Sequence, residues 1–100
     1  MPLQTLAIPL ALGSWQELNR RAWQLSQDAI AETGADALVV PYPARSWLEL
    51  NRRCAGFSSA ILEAVTGSED QPRIPYPLDD WRELNRRMSA LSRYLIGAVP

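Results

Sequence analysis

Trp15-Gln-Glu-Leu-Asn-Arg-Arg21 is the stretch that decides the fold, because the chain uses it three times. The other copies are Trp47-Leu-Glu-Leu-Asn-Arg-Arg53 and Trp81-Arg-Glu-Leu-Asn-Arg-Arg87, so that six of the seven positions are identical. The tryptophans are 32 and then 34 residues apart. Such a period is typical of a supersecondary unit that cannot bury its apolar face alone. The sequence therefore predicts an internal structural repeat.

The repeat extends beyond these seven residues on both sides. A proline lies six residues before each tryptophan, and an aliphatic residue precedes it: Ile8-Pro9, Val40-Pro41 and Ile74-Pro75. A serine lies eleven residues after each tryptophan: Ser26, Ser58 and Ser92. A chain of 100 residues is the size of one domain. We expect a single domain at 1–100 with pseudo-repeats at approximately 3–34, 35–67 and 68–100.

Capping signals mark the start of a helix in each repeat. A Ser-x-x-Glu capping box precedes the first two helices, and its aspartate version precedes the third: Ser14/Glu17, Ser46/Glu49 and Asp80/Glu83. In such a box each side chain satisfies a backbone donor that the helix leaves unpaired. Gly34 and Gly67 are expected to end the first two helices as left-handed caps. The predicted helices are about Trp15–Glu32, Trp47–Val65 and Trp81–Ile96.

Each predicted helix carries an apolar stripe with 3–4 spacing, which is the pattern of helices packed along their length. In the first helix the stripe is Trp15, Leu18, Ala22, Leu25 and Ala29, widened by Trp23 and Ile30. The second stripe is Trp47, Leu50, Cys54, Phe57 and Ile61, and the third is Trp81, Leu84, Met88, Leu91 and Leu95. We expect these residues to face the core.

The segments between the helices are rich in proline. We expect 3–12 to be extended, with Leu6, Ile8 and Leu10 on one side, and 37–40 to be strand-like. A connection of about 12 residues can span roughly 40 Å when extended, so the chain can return along each helix. The predicted fold is mainly α, with three pseudo-repeats that each place an extended proline-containing arm before an amphipathic helix. The alternatives are a plain three-helix bundle and a small βα-type sheet formed by the arms.

The composition argues against most catalytic and metal chemistry. Histidine is absent, cysteine occurs once, and neither a G-x-G-x-x-G nor a Walker phosphate loop is present. Without histidine there is no imidazole base and no zinc site of the usual kind. We therefore predict no enzyme activity, no cofactor and no metal. The single cysteine, Cys54, falls on an apolar stripe, so a buried inert thiol and a cytoplasmic location are expected. The apolar N-terminal stretch lacks a basic region, and we expect neither a targeting signal nor a membrane span.

The motif's polar residues have a structural and a functional interpretation. Asn19, Asn51 and Asn85 border the apolar stripes, where an amide must find hydrogen-bond partners. We expect them to bond the backbone of an arm, with the tryptophan ring stacked on a proline; direct contact with a ligand is the alternative. Each motif glutamate can pair with the arginines three and four residues later, which gives a solvated, arginine-rich helix face.

The functional hypothesis is a small non-catalytic protein-interaction module, namely an adaptor, assembly factor or regulatory subunit. Aromatic and arginine side chains are favoured at protein interfaces. The candidate partner-binding residues are Tyr42, Leu48, Tyr76, Arg20, Arg21, Arg52, Arg53, Arg86 and Arg87. Another protein is the expected partner. The alternative is a nucleic-acid- or anion-binding protein that uses the arginine pairs, although the net charge of −1 disfavours it.

Overall fold

The architecture is mainly helical. The computed structural model describes residues 7–67 and 72–98, and these contain the helices α1 (Trp15–Thr33), α2 (Trp47–Thr66) and α3 (Trp81–Ala98). Each helix contacts the other two, which is compatible with a three-helix bundle. Residues 7–67 and 72–98 contain no β-strand. The prediction of three helices is therefore confirmed, whereas the small sheet considered as an alternative is not found in the described residues.

Serine and glycine residues begin and end the first two helices as predicted, but the second half of the capping box is not formed, because the side chains of Glu17 and Glu49 bind arginines instead of the N-cap backbone. The hydroxyl oxygens of Ser14 and Ser46 each accept the backbone N–H three residues later, at 3.2 Å. At the other end, Gly34 and Gly67 have φ angles of 68° and 78°. Residues with a Cβ atom rarely adopt this left-handed conformation, whereas glycine adopts it without steric cost. The N–H groups of both glycines donate to carbonyls in the last turn, which satisfies acceptors that the helix leaves free.

The core consists of one stripe from each helix and one aliphatic residue before each helix. The stripe residues are fully buried except the tryptophans at the three helix starts and the flanking Trp23 and Ile30, which are partly buried. Trp15 and Trp81 pack against the core as expected. Each lies at the first position of its helix, at the edge of the packed interior. Burial centres instead on the motif leucines, whose exposure is 0%.

We call the non-helical segments before the helices arm 1 (7–14), arm 2 (35–46) and arm 3 (72–80). Each contributes one fully buried aliphatic side chain: Ile8, Val40 and Ile74. The Tyr42–Pro43 and Tyr76–Pro77 peptide bonds are cis.

Two expectations about these arms are wrong. Leu10 is 50% exposed, although it was expected on the same side as Ile8. The strand-like run 37–40 is not a strand, and Leu38 within it is 77% exposed. Side chains alternate strictly between the two faces only in a strand that is hydrogen-bonded to a neighbouring strand. The backbone of these arms is hydrogen-bonded to helix side chains instead, so their side chains need not alternate. Leu6 and residues 68–71 lie outside the described part of the chain.

Candidate functional site

The asparagine of the motif in α1 binds arm 2 through both ends of its carboxamide. The Asn19 Nδ2 group donates to the carbonyl oxygen of Pro41 at 2.8 Å, and its Oδ1 accepts the N–H of Ala44 at 2.6 Å. Asn19 is 1% exposed, and Pro41 and Ala44 are partly buried, so both backbone groups are paired in a partly shielded environment. A buried backbone group without a partner would cost about 1–3 kcal/mol.

The same pair of hydrogen bonds recurs at the other two asparagines. Asn51 donates to the Pro75 carbonyl at 2.9 Å and accepts from the Leu78 N–H at 2.8 Å. Asn85 makes the equivalent bonds in arm 1, with the Pro9 carbonyl and the Leu12 N–H, both at 2.8 Å. The predicted bonds between the asparagines and an arm backbone are thus present. Direct ligand binding by these amides is disfavoured, because both ends of each are already used.

The serine that follows each motif provides a second bond to the same arm. The hydroxyl oxygens of Ser26, Ser58 and Ser92 accept the N–H groups of Val40, Ile74 and Ile8, at 2.9, 3.0 and 2.9 Å. Each hydroxyl donates to the carbonyl three residues earlier in its own helix, at 2.8 Å. The sequence shows these serines and aliphatic residues at fixed spacings, but no role was assigned to them. Their role follows from the need to pair the N–H of a buried aliphatic residue.

We call each asparagine–serine pair a clasp: clasp 1 on α1, clasp 2 on α2 and clasp 3 on α3. Clasp 1 holds arm 2, clasp 2 holds arm 3, and clasp 3 holds arm 1. The contacts therefore form a closed cycle around the three helices. The sequence predicted that the asparagines bind an arm but not which arm, because that choice depends on long-range packing.

The glutamate of each motif binds both arginines that follow it. Glu17 contacts Arg20 at 2.5 Å and Arg21 at 2.9 Å. The equivalent pairs are Glu49 with Arg52 at 2.9 Å and Arg53 at 2.8 Å, and Glu83 with Arg86 and, at 3.0 Å, Arg87. The arginine side chains are 33–64% exposed. This is the solvated, self-paired face expected from the sequence, and each cluster keeps one surplus positive charge.

These ion pairs change the acidity of the three glutamates. Hydrogen bonds from Arg20, Arg53 and Arg86 are the largest influences that lower the pKa of Glu17, Glu49 and Glu83 respectively. Because the pKa is lowered in the folded state, the stabilisation is present above the ordinary glutamate pKa. It is lost as the pH falls through the lowered value. At such exposed sites the contribution is small and screened by salt.

Carboxyl-detected NMR titration is expected to show Glu49 titrating below the ordinary glutamate pKa of about 4.3. The Arg53→Gln substitution should raise the pKa of Glu49, because it removes the strongest hydrogen bond to that carboxylate. The same substitution should leave the pKa of Glu17 unchanged and thus serves as an internal control. An ordinary pKa for Glu49 that does not respond to this substitution would show that the pair does not form in solution.

Exposed apolar side chains are concentrated on arm 2 and at the start of α2. Among the described residues, seven large hydrophobic side chains are exposed: Leu10, Leu38, Val39, Tyr42, Leu48, Tyr76 and Tyr94. Four of the seven lie between positions 38 and 48. The sequence predicted exposure of Tyr42, Leu48 and Tyr76, and their exposed fractions are 47%, 43% and 49%. It missed Leu38 and Val39, because their run was read as a strand.

The aromatic ring of Tyr42 is not free of the helices. It stacks on Trp23 of α1, with ring centroids 5.7 Å apart and an angle of 28° between the planes. Offset stacking of this kind adds about 0.5–1.5 kcal/mol beyond burial. Arm 2 is therefore held by an aromatic contact in addition to clasp 1, and the remaining half of the Tyr42 surface faces solvent.

Two recesses adjoin arm 2 and share Arg52 and Arg53. The first, of about 330 Å³, is lined by apolar residues that include Leu38 and Val39. The second, of about 340 Å³, adds Arg45 to the shared arginines. The acidic residues that line the two recesses are Asp36 and Glu49, so three arginines oppose two carboxylates. The residues aligned with Arg45 in the other arms are Gly13 and Asp79, so arm 2 is the most cationic of the three at this position.

Other chemistry finds little support in the described part of the chain. Cys54 is fully buried, and burial raises the pKa of its thiol well above the ordinary value, as expected for an inert side chain. No group of three or more described His, Cys, Asp or Glu residues is arranged to hold a metal ion. Within 7–67 and 72–98, no helix has the length and apolar character needed to cross a membrane.

Comparison with known protein families, curated proteins and solved structures finds no match to this chain. Across the three units, most motif positions are identical and one varies. The identical leucine, asparagine and glutamate are used inside the framework. The second motif position varies among Gln16, Leu48 and Arg82, and it is exposed in all three helices.

Proposed function

We propose that the chain is a small non-catalytic protein-interaction module, acting as an adaptor, assembly factor or regulatory subunit. Its framework consists of three pseudo-repeated units of an arm and a helix. The recurrence of the same clasp atoms in all three helices supports the pseudo-repeat. Because the identical leucine, asparagine and glutamate serve the framework, partner recognition uses the positions that differ between the units, together with the exposed motif arginines beside them.

The observation that carries this proposal is the cluster of exposed apolar residues on arm 2. The docking site, which we call the arm 2 surface, comprises Leu38, Val39, Arg45, Leu48, Arg52 and Arg53. Leu48 and Arg52 are four residues apart on α2 and therefore lie on the same side of the helix. Apolar side chains beside arginines are the composition favoured at interface centres. Tyr42 and Tyr76 are further candidate contacts, because they are exposed aromatic side chains on arms 2 and 3.

The chemistry of this surface defines the partner that fits it. Three arginines and two carboxylates line the two recesses, and the apolar side chains of Leu38 and Val39 line the first of them. A protein segment that combines apolar anchors with acidic residues would satisfy both features. Since Glu49 already binds two of the arginines, the charges would add more to specificity and association rate than to affinity.

Nucleic-acid binding is the second candidate, and one observation favours it. Each motif exposes two guanidinium groups for one carboxylate, so that all three clusters are cationic. The overall net charge of −1 opposes it. Binding through phosphates would involve arginines of all three helices, including Arg20, Arg21, Arg86 and Arg87. Binding of this kind weakens steeply as salt rises.

The proposal is tested with substitutions that introduce residues already present at the aligned positions of the other two units. Leu48→Gln introduces the residue that α1 has at this position, and Arg45→Asp introduces the residue of arm 3. We expect the double variant to keep the thermal unfolding midpoint and to raise the Kd for the partner at least about tenfold, which corresponds to about 1.4 kcal/mol. The matched control is Gln16→Ala, an exposed change at the same position of α1.

Pull-down from the native cell with and without nuclease identifies the partner, and titration at two salt concentrations measures its affinity. Support requires a protein that survives nuclease, is lost with the double variant, and binds through an acidic, apolar segment. Tyr42→Ala and Tyr76→Ala should also weaken binding, and Arg87→Ala should do so if α3 takes part. A partner lost on nuclease treatment, with a steep salt dependence and no response to Leu48→Gln or to either tyrosine substitution, would replace this proposal with nucleic-acid binding.

A further inference from the structure

The junction between α3 and arm 1 connects parts of the chain that are far apart in sequence. In clasps 1 and 2 the hydrogen bonds join residues 14 to 27 positions apart, so each helix holds the arm that directly follows it. In clasp 3 the corresponding separations are 73, 76 and 84. Along the polypeptide chain, arm 1 and clasp 3 are therefore separated by almost the whole domain, although hydrogen bonds join them directly.

This junction also lacks contacts that support arm 2. Where α1 has Trp23 stacked on Tyr42, α3 has Ser89 and arm 1 has Leu10. The Ser89 hydroxyl is buried and has no hydrogen-bond partner among the described residues, which is unfavourable. Leu10 is half exposed. Among the described residues, clasp 3 thus keeps the hydrogen bonds of the other clasps but, like clasp 2, has no aromatic stacking to reinforce them.

Few side chains of arm 1 are buried, although Ile8 belongs to the core and Leu12 packs against it. In its described part only Ile8 is fully buried. Gly13, which leads into the N-cap of α1, is exposed, and no atom lies within 4 Å of the position that a Cβ would take there. Gly13 is therefore an unobstructed and conformationally permissive residue between arm 1 and α1. Release of the arm uncovers Ile8 and the polar groups of clasp 3, and the same arm of another copy can cover them again.

From these features we propose that clasp 3 is an exchangeable binding site, and that its second ligand is arm 1 of another copy of this chain. Two copies exchange their first arms reciprocally, and each junction re-forms the same hydrogen bonds to Asn85 and Ser92. Exchange of an identical element is a low-cost route to a symmetric dimer. The intramolecular junction dominates in dilute solution, and the exchanged dimer accumulates as the protein concentration approaches the effective concentration of the tethered arm.

Two complementary variants of the full chain test this proposal. Ile8→Asp puts a charge on the buried residue of arm 1 and leaves clasp 3 intact. Asn85→Ala combined with Ser92→Ala removes clasp 3 and leaves arm 1 intact. Each variant alone should be monomeric by light scattering. The equimolar mixture should give a 1:1 heterodimer with twice the 11.2 kDa chain mass, confirmed by native mass spectrometry.

The control chain carries all three substitutions and should form no heterodimer with the clasp-defective variant. If a variant is unfolded alone, mixing should restore helical circular dichroism, because one complete junction becomes available. Absence of both heterodimer and regained helicity at concentrations up to about 1 mM, the range of tethered effective concentrations, would overturn the proposal. So would a heterodimer that also forms with the triple variant. The arm 2 surface is unchanged in every chain, so the outcome is independent of the function proposed above.

Discussion

Leu84→Ala is expected to lower the free energy of unfolding by about 2–5 kcal/mol, the usual range for a buried leucine. Leu84 is 0% exposed and belongs to the core stripe of α3, like its counterparts Leu18 and Leu50 in the other helices. Substitution removes apolar contacts and leaves a cavity that the surrounding helices fill only in part. Domains of this size have total stabilities of about 5–15 kcal/mol, so this loss is a large share of the total.

Urea denaturation with an unchanged m-value measures this loss of stability. Leu48→Ala is the matched control, because it is the same chemical change at a leucine that is 43% exposed. We expect that control to alter stability by less than about 0.5 kcal/mol, as is usual for surface sites. A loss below about 1 kcal/mol for Leu84→Ala would show that the stripe of α3 does not face a packed core.

The helices and one part of the clasps could be predicted because their causes are local. Serine three residues before glutamate, with glycine at the far end, specifies where α1 and α2 begin and end. The asparagine contacts followed from a second local argument. An amide at the border of an apolar stripe needs partners, and arms that contain proline offer unpaired backbone groups.

The features that could not be predicted depend on long-range packing. No local signal shows that α1 holds the arm after it while α3 holds arm 1 at the other end of the chain. By composition, residues 37–40 fit a sheet strand as well as they fit the irregular arm that the structure shows. In the folded chain the N–H of Val40 binds Ser26, so Leu38 and Val39 remain exposed on the surface. Leu48, Arg52 and Arg53 were therefore candidates from the sequence, whereas Leu38, Val39 and Arg45 became candidates only from the three-dimensional arrangement.

Asn51→Ala is expected to destabilise the protein by about 2–4 kcal/mol. The substitution removes little apolar surface, but it leaves both the Pro75 carbonyl and the Leu78 N–H without their partner. Each buried backbone group left unpaired costs about 1–3 kcal/mol. Two such groups would cost about 6 kcal/mol at most, and water that reaches them in part lowers this value. Asn51 is 0% exposed, so the vacated space is small and enclosed. The loss should approach that of a core leucine although the side chain is polar.

Ser58→Ala provides the graded comparison, because it leaves a single arm group, the N–H of Ile74, without its acceptor. The expected loss is about 1–3 kcal/mol, smaller than for Asn51→Ala. Ser59→Ala changes the neighbouring, partly exposed serine and should have little effect. Hydrogen exchange adds a local measurement: the Leu78 amide should lose protection in Asn51→Ala, while the Ala44 amide, held by clasp 1, should keep it. Equal stability of Asn51→Ala and Ser59→Ala, with protection of Leu78 retained, would mean that the asparagine does not hold arm 3 in solution.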